Sequence, residues 1–375
     1  MAHGKIDNRQ IDMFQSTELY HITKPIRLIE LFAGYGSQAL ALKYLGVPFE
    51  HWCISEWAIK SIKAYKNLHF TDSTTDYAEN MTDDEILDWL TGRISSDYNT
   101  PLTREQIAKK NYREIYNEMC QTNNHGSITE MTAWDLNIVD TDKYEYILTY
   151  SFPCQDISIV GDQGGMKRGE TTRSGLLWQV ERLLKACVEL PQVLLMENVA
   201  EIISDRNIAD FKEWIAFLKS LGYSSKYQVY NTSEFRVPQN RERFFMVSVL
   251  GDYDIKLPPV FGCDLRLKDI IEQDVDDKYF LQQKTIDTYT EATRRELARG
   301  NHFEFRPTRG GVLTNYNDEI RVTEDRQFLD RRQYPYNADG DNSRTIKARY
   351  AQSSMANFSR QDSFGATGVI EITEG

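Results

Sequence analysis

Residues 26–46 read IRLIELFAGYGSQALALKYLG, and the order of textures in this stretch sets the fold class. IRLIELF is an apolar run rich in leucine and β-branched residues, with the length of a buried strand. It stops abruptly at AGYGS, where Gly34 and Gly36 permit a tight turn. SQALALKYLG then follows a helical pattern stopped by Gly46. Strand, turn and helix together open an α/β fold.

The same pattern recurs on the C-terminal side. FEHWCISEW (49–57) reads as a second strand ending near the acid Glu56, and strand character resumes at EYILTYSF (145–152), VLLMENV (193–199) and RFFMVSVL (243–250). A helix from Leu176 puts Leu177, Val180, Leu184 and Cys187 on one apolar face. FKEWIAFLKSLGY does the same with Phe211, Trp214, Ile215, Leu218 and Leu221, and Gly222 is its predicted C-cap. Alternating strands and helices predict an open, parallel, Rossmann-like sheet with its working residues at the strands' carboxyl ends. The polar stretch at about 70–126 predicts a mostly helical insertion. After residue 251 the alternation fails and Arg, Asn, Ser, Tyr and Gly take over. The predicted division is a main domain over 1–251 and a smaller, irregular lobe over 252–375.

Composition narrows the class of protein. With 41% apolar residues the chain can bury a sizeable core, so it is neither disordered nor a disulfide-dependent miniprotein. No apolar run is long enough to span a membrane, and the polar start MAHGKIDNRQ lacks the layout of a secretory signal. Cys53, Cys120, Cys154, Cys187 and Cys263 are odd in number and form no CxxC pair. That usage suits a reducing cytoplasm and argues against a zinc site. The net charge of −12 has the wrong sign for a simple nucleic-acid coat protein. It is uneven, however: residues 241–375 carry −3, and within 294–309 five arginines face two glutamates.

Four motifs carry candidate chemistry. A glycine turn after a strand lets backbone amides approach a nucleotide-like ligand, and Glu56 and Trp57 offer an acid for ribose hydroxyls and a ring for a purine. The turn is not GxGxxG and has no Lys-Ser/Thr after it, which weakens dinucleotide and triphosphate readings. In SFPCQDIS, Cys154 follows a strand, with Pro153 fixing the backbone before it and a Gly-rich basic segment (161–175) after it. A thiol there is either core packing or a nucleophile. In MENV, Glu197 ends a strand as a cap or as a carboxylate aimed into a crevice. In QNRER, alternation sends Arg241 and Arg243 to the same side, to hold an anion, a base oxygen or a salt bridge.

FAGYGS, SFPCQ, GLLW, MENV and QNRER, in that order, resemble the DNA (cytosine-5) methyltransferase family over roughly residues 26–250. GMKRG followed by TRSGLLW looks most like its bacterial and phage restriction–modification branch, which includes CpG-specific enzymes. The resemblance implies an S-adenosylmethionine-dependent methyltransferase fold acting on double-stranded DNA, as a monomer on DNA and without a metal. It implies that Cys154 adds to C6 of a flipped-out cytosine and that Glu197 binds the N3 and N4 edge. Arg243 is implied on the base O2, with Arg241 in support. For the cofactor it implies Phe32, Gly34, Gly36, Glu56, Trp57, Pro153 and Leu177. For DNA it implies Gln155, Ser158, Lys167, Arg168, Arg173 and Gln239, with 155–175 as a closing loop and 252–375 as the target-recognition region.

The chain departs from the family's pattern in two places. Where the family has an aspartate for the adenine amino group, this chain has GSIT, giving Ser127, with Asp135 as a rival. The family's closing Arg-Leu-rich and Gly-Asn-Ser/Ala motifs do not appear before EITEG, leaving a truncated chain, a second polypeptide or an open pocket as alternatives. Two other functions stay in view: the same chemistry on tRNA, and a catalytically incomplete, partner-dependent DNA-binding subunit. The large tail favours duplex DNA.

Overall fold

The structure, a computed structural model, describes residues 18–153, 174–262, 265 and 343–344. In chain order its elements begin with β1 (Ile26–Leu31), α1 (Ser37–Tyr44), β2 (Phe49–Ser55) and α2 (Ile59–His69). Helices α3 (Asp83–Leu90), α4 (Arg104–Ile107), α5 (Tyr112–Gln121) and α6 (Ala133–Leu136) follow. Then come β3 (Glu145–Tyr150), α7 (Leu177–Ala186), β4 (Val193–Asn198) and α8 (Ile208–Ser220). The last are β5 (Tyr223–Asn231), β6 (Gln239–Asn240), β7 (Glu242–Leu250) and β8 (Ser343–Arg344). Two compact units divide the chain: Met1–Val229 with Arg243–Pro258, and Tyr230–Glu242 with Pro259–Gly375.

The main sheet runs β2-β1-β3-β4-β7-β5. Strands β2, β1, β3 and β4 are mutually parallel, so their carboxyl ends share one edge. This is the open α/β sheet that alternation predicts, with one correction to its all-parallel form: β7 runs antiparallel to β4. Its sheet neighbour β5 also precedes it in the main sheet's chain order, and strands joined without a crossover helix need not share a direction.

Strand register explains the core. Ile29, Leu31, Leu148, Tyr150, Leu194, Met196, Phe244 and Met246 all project from one face and are fully buried. Leu177, Val180 and Leu184 of α7 and Phe211, Trp214 and Leu218 of α8 pack into the same core. Burial would leave the Trp214 indole N–H without water, and it donates instead to the Tyr150 hydroxyl at 3.1 Å. Ile26, Leu28 and Ile147 on the opposite face meet Ala39 of α1 in a smaller cluster.

The segment between β2 and α6 is helical and has its own apolar centre, including Ile62, Ile86, Leu90, Ile107 and Met119. Capping boxes start α3 (Thr82 with Glu85) and α4 (Thr103 with Gln106). Gly46 and Gly222 stand just past α1 and α8 with φ of 68° and 91°, the left-handed geometry that ends a helix. Among the described residues no helix is long and apolar enough to cross a membrane. In the second unit, β6 pairs in parallel with β8, so the QN of QNRER lies beside the SR of SRTIKARY.

Candidate active site

Four segments leave the shared edge of the parallel strands: Phe32–Gly36 after β1, Glu56–Trp57 after β2, Ser151–Pro153 after β3, and the Glu197–Asn198 end of β4. The first is a strained turn. Phe32 has φ 58°, which costs a residue with a side chain about 1–2 kcal/mol, and its ring packs against the main core. The Ala33 N–H donates to the Ser55 carbonyl at 3.0 Å and the Gly36 N–H to the Ala33 carbonyl at 2.8 Å.

The two turn glycines have different reasons for being glycine. Both have positive φ (57° and 80°), but a Cβ on Gly34 would meet nothing within 4 Å, so the turn faces open space there. A Cβ on Gly36 would lie 2.5 Å from His69 Nε2 and 2.6 Å from the Tyr65 ring. Gly36 is required by α2; Gly34 leaves an approach to the backbone.

Glu56 is buried, and its carboxylate is oriented by backbone amides. Oε2 accepts from Gly34 N at 2.8 Å and Oε1 from Ala58 N at 2.7 Å. Burial pushes its pKa up to about 7, against the lowering effect of those hydrogen bonds. With the Trp57 N–H also donating to it, the carboxylate takes three backbone donors, and its remaining acceptor capacity suits the hydroxyls of a diol. Trp57, half-buried, follows directly, and its carbonyl accepts from Ser95 N at 2.7 Å.

Asn124, buried, connects this acid to the GSIT segment. Its Oδ1 accepts from Glu56 N (3.0 Å) and Gly126 N (2.9 Å), and its Nδ2 donates to the Glu56 carbonyl (2.9 Å). Ser55 Oγ donates to the Gly126 carbonyl at 2.8 Å. Ser127 thus sits in a segment fastened to the end of β2. Asp135 is occupied elsewhere: Oδ2 accepts from the Thr132 N–H and hydroxyl at the start of α6, and Oδ1 lies 3.3 Å from His125 Nδ1. Asn124 is a residue that sequence reasoning missed; the only signal was an asparagine two places before a glycine.

Around β3 and β4 a second constellation forms. Asn198, buried, donates from Nδ2 to the Phe152 carbonyl at 3.1 Å and accepts the Val199 N–H at 2.9 Å. The backbone entering Pro153 is therefore tied to the end of β4. Glu197, next to Asn198, pairs with Arg243 of β7: Nε to Oε1 is 2.9 Å, with 20% and 25% of the two side chains exposed. Asn198 too was missed, because nothing in MENV marks its asparagine as a tether.

Leu177 begins α7 and is fully buried in the main core, and Pro153 is half-buried. Gln239 and Arg241 belong to the second unit, where the Arg241 N–H donates to Asn231 Oδ1 at 3.1 Å and its carbonyl accepts from Thr232 N at 3.0 Å. Cys154, Gln155, Ser158, Lys167, Arg168 and Arg173 lie outside the described residues, as does nearly all of the 252–375 lobe after Gly262. Of the other cysteines, burial raises the pKa of Cys53 and Cys120 and pushes the Cys187 thiol up to about 11. None of these three supplies a thiolate near neutral pH. Among the described residues no cluster of His, Cys, Asp or Glu could hold a metal ion.

A family model described as C-5 cytosine-specific DNA methylase matches residues 101–368. The Type II methyltransferase M2.ScrFI of Lactococcus lactis subsp. cremoris is 33% identical over 266 residues, covering 70% of this chain and 71% of that relative. The orphan methyltransferase M.SssI of Spiroplasma monobiae is 33% identical over 298 residues, covering 77% and 72%. The solved S. pombe Dnmt2 methyltransferase overlays more loosely, with a TM-score of 0.44 at 16% identity over 71% of this chain and 66% of that one. Matched by the family model over most of its length and by relatives a third identical to it, the chain belongs to the C-5 cytosine-specific DNA methylase family.

Proposed function

We propose that the protein transfers a methyl group from S-adenosylmethionine to C5 of a cytosine flipped out of double-stranded DNA. The observation that carries this reading is the Glu197–Arg243 pair standing next to the Asn198 tether that holds the backbone leading into Cys154.

Bound at the turn, S-adenosylmethionine would supply a methyl group on a positively charged sulfur. Gly34 leaves the backbone open to it, Glu56 accepts its ribose hydroxyls, and Phe32, Trp57 and Ser127 surround the adenine. Pro153 borders the methyl end, and Leu177, buried in the main core, packs behind it.

Unstacking the base exposes both ring carbons. The Cys154 thiolate adds to C6, and the C5–C6 π electrons move to C5. Glu197 gives a proton to N3 and Arg243 binds O2, so the charge developing across the ring meets fixed partners. C5 takes the methyl group, and the bonding pair stays with the donor's sulfur. Loss of the C5 proton to a water molecule then re-forms the double bond and expels the thiolate, and the N3 proton returns to Glu197. Lys167, Arg168 and Arg173 hold phosphates beside the target, with Gln155, Ser158 and Gln239 at the DNA, Arg241 in support and residues 252–375 reading the sequence.

The protein works in the cytoplasm, as a monomer on DNA. Transfer of labelled methyl to unmethylated duplex DNA tests the reading, with tRNA as the competing acceptor and Cys154→Ala as the control. Transfer that appears only after adding a partner from the same genome would assign the partner-dependent form.

A further inference from the structure

We propose that His69, the last residue of α2, is a positioning residue for the methyl-donor turn: it fixes the Tyr35 carbonyl and with it the backbone of Gly34–Gly36. This rests on the reading of that turn as the donor site.

His69 Nε2 lies 2.9 Å from the Tyr35 carbonyl oxygen, and Lys43 Nζ of α1 lies 3.0 Å from His69 Nδ1. An ammonium group can only donate, so Nδ1 accepts and the ring proton sits on Nε2, pointing at the carbonyl. Burial lowers the His69 pKa, in keeping with a neutral ring. Lys43 thus selects the tautomer, and the tautomer holds the turn.

The close approach at Gly36 points the same way. His69 and Tyr65 press on the turn so tightly that a Cβ there would collide with both. Tyr65, four residues before His69 and on the same face of α2, donates to Glu30 Oε2 at 2.6 Å. Glu30 Oε1 accepts the Ala39 N–H in the first turn of α1 at 3.2 Å. The end of β1, the turn and the start of α1 are therefore all fastened to one face of α2. On its other side the turn faces open space at Gly34 and gives its N–H to Glu56. A brace of this kind changes affinity by changing how much of the protein holds the competent turn.

The test is calorimetric titration of S-adenosylhomocysteine into wild type, His69→Leu and His69→Gln, with KM and kcat for methyl transfer measured alongside. Leucine removes the donor, whereas glutamine keeps an N–H within reach of the carbonyl. His69→Leu should weaken binding about tenfold, the equivalent of one hydrogen bond. KM for S-adenosylmethionine should rise by the same factor, with kcat at saturation within about twofold of wild type. His69→Gln should recover most of the affinity. If His69→Leu does not fold, Lys43→Met, which frees the tautomer, should weaken binding in the same direction. Equal binding by His69→Leu and wild type, or equal weakness of the leucine and glutamine variants, would overturn the brace. Wild-type protein that bound no S-adenosylhomocysteine would overturn the donor-site reading, and the brace with it.

Discussion

Arg243 on β7 reaches diagonally across the antiparallel ladder to Glu197 on β4, Nε to Oε1 2.9 Å. Glu197 stands opposite Phe245, so Arg243, two residues earlier, shares its face of the sheet. The antiparallel β7 is what makes this pair: it carries the last residue of QNRER back to the carboxyl edge where β4 ends.

Replacing Arg243 by alanine removes the carboxylate's partner and the donors assigned to the base. Single-turnover methyl transfer should fall by about 10²–10³-fold, the range for loss of one charge-stabilising donor. Affinity for S-adenosylhomocysteine should hardly change, since the turn lies on β1 and β2. Arg243→Lys should recover little, because an ammonium lacks the planar fork.

Asn198→Ala should act on both stability and rate. It leaves the Phe152 carbonyl without its side-chain donor inside the fold, at a cost of about 1–3 kcal/mol in chemical denaturation. It also frees the backbone before Cys154, so kcat should drop further than the stability loss explains while KM for the methyl donor holds. A variant with full kcat would mean that Asn198 only supports the fold.

Gly34 and Gly36 should separate ligand from packing. Gly36→Ala drives a Cβ into Tyr65 and His69 and should destabilise by about 1–3 kcal/mol, as overpacking does. Gly34→Ala meets open space, so beyond a backbone cost of about 1–2 kcal/mol its effect should be on S-adenosylhomocysteine affinity. Thermal melts and calorimetry on the two proteins distinguish these outcomes.

Glu56 and Glu30 both have pKa values raised by burial to about 7, from an ordinary value of 4.5. Native protein therefore binds more protons than unfolded chain between those values. Their contribution to stability is fully present below about 4.5 and is lost as pH rises through about 7. Ligand binding should run the other way, because ribose hydroxyls favour the carboxylate form of Glu56. Affinity for S-adenosylhomocysteine should rise as pH climbs through about 7, and that rise should vanish in Glu56→Gln.

Much of this architecture is legible in the sequence because apolar runs and their end points are. β1, β3, β4 and β7 announce themselves as buried strands, and Gly46 and Gly222 end their helices where helical periodicity stops. β5 does not: YSSKYQVYN mixes polar and aromatic residues because it lies at the sheet's edge, where only part of the strand is covered. Asn124 and Asn198 are illegible for a different reason. Each serves a backbone group brought near it only by the fold, and no local pattern records such a partner. The sequence offers Ser127 as the adenine contact with Asp135 as its rival, and both side chains have partners in the fold: Asp135 accepts from Thr132 in the α6 cap, and Ser127 Oγ lies 2.8 Å from Thr129 Oγ1.

The central claim is most directly tested by incubating the protein with methyl-labelled S-adenosylmethionine and unmethylated duplex DNA, with tRNA and Cys154→Ala in parallel. The expected result is label on C5 of cytosine in the duplex, abolished in the cysteine variant. Label on tRNA alone, or label on DNA that survives Cys154→Ala, would contradict it.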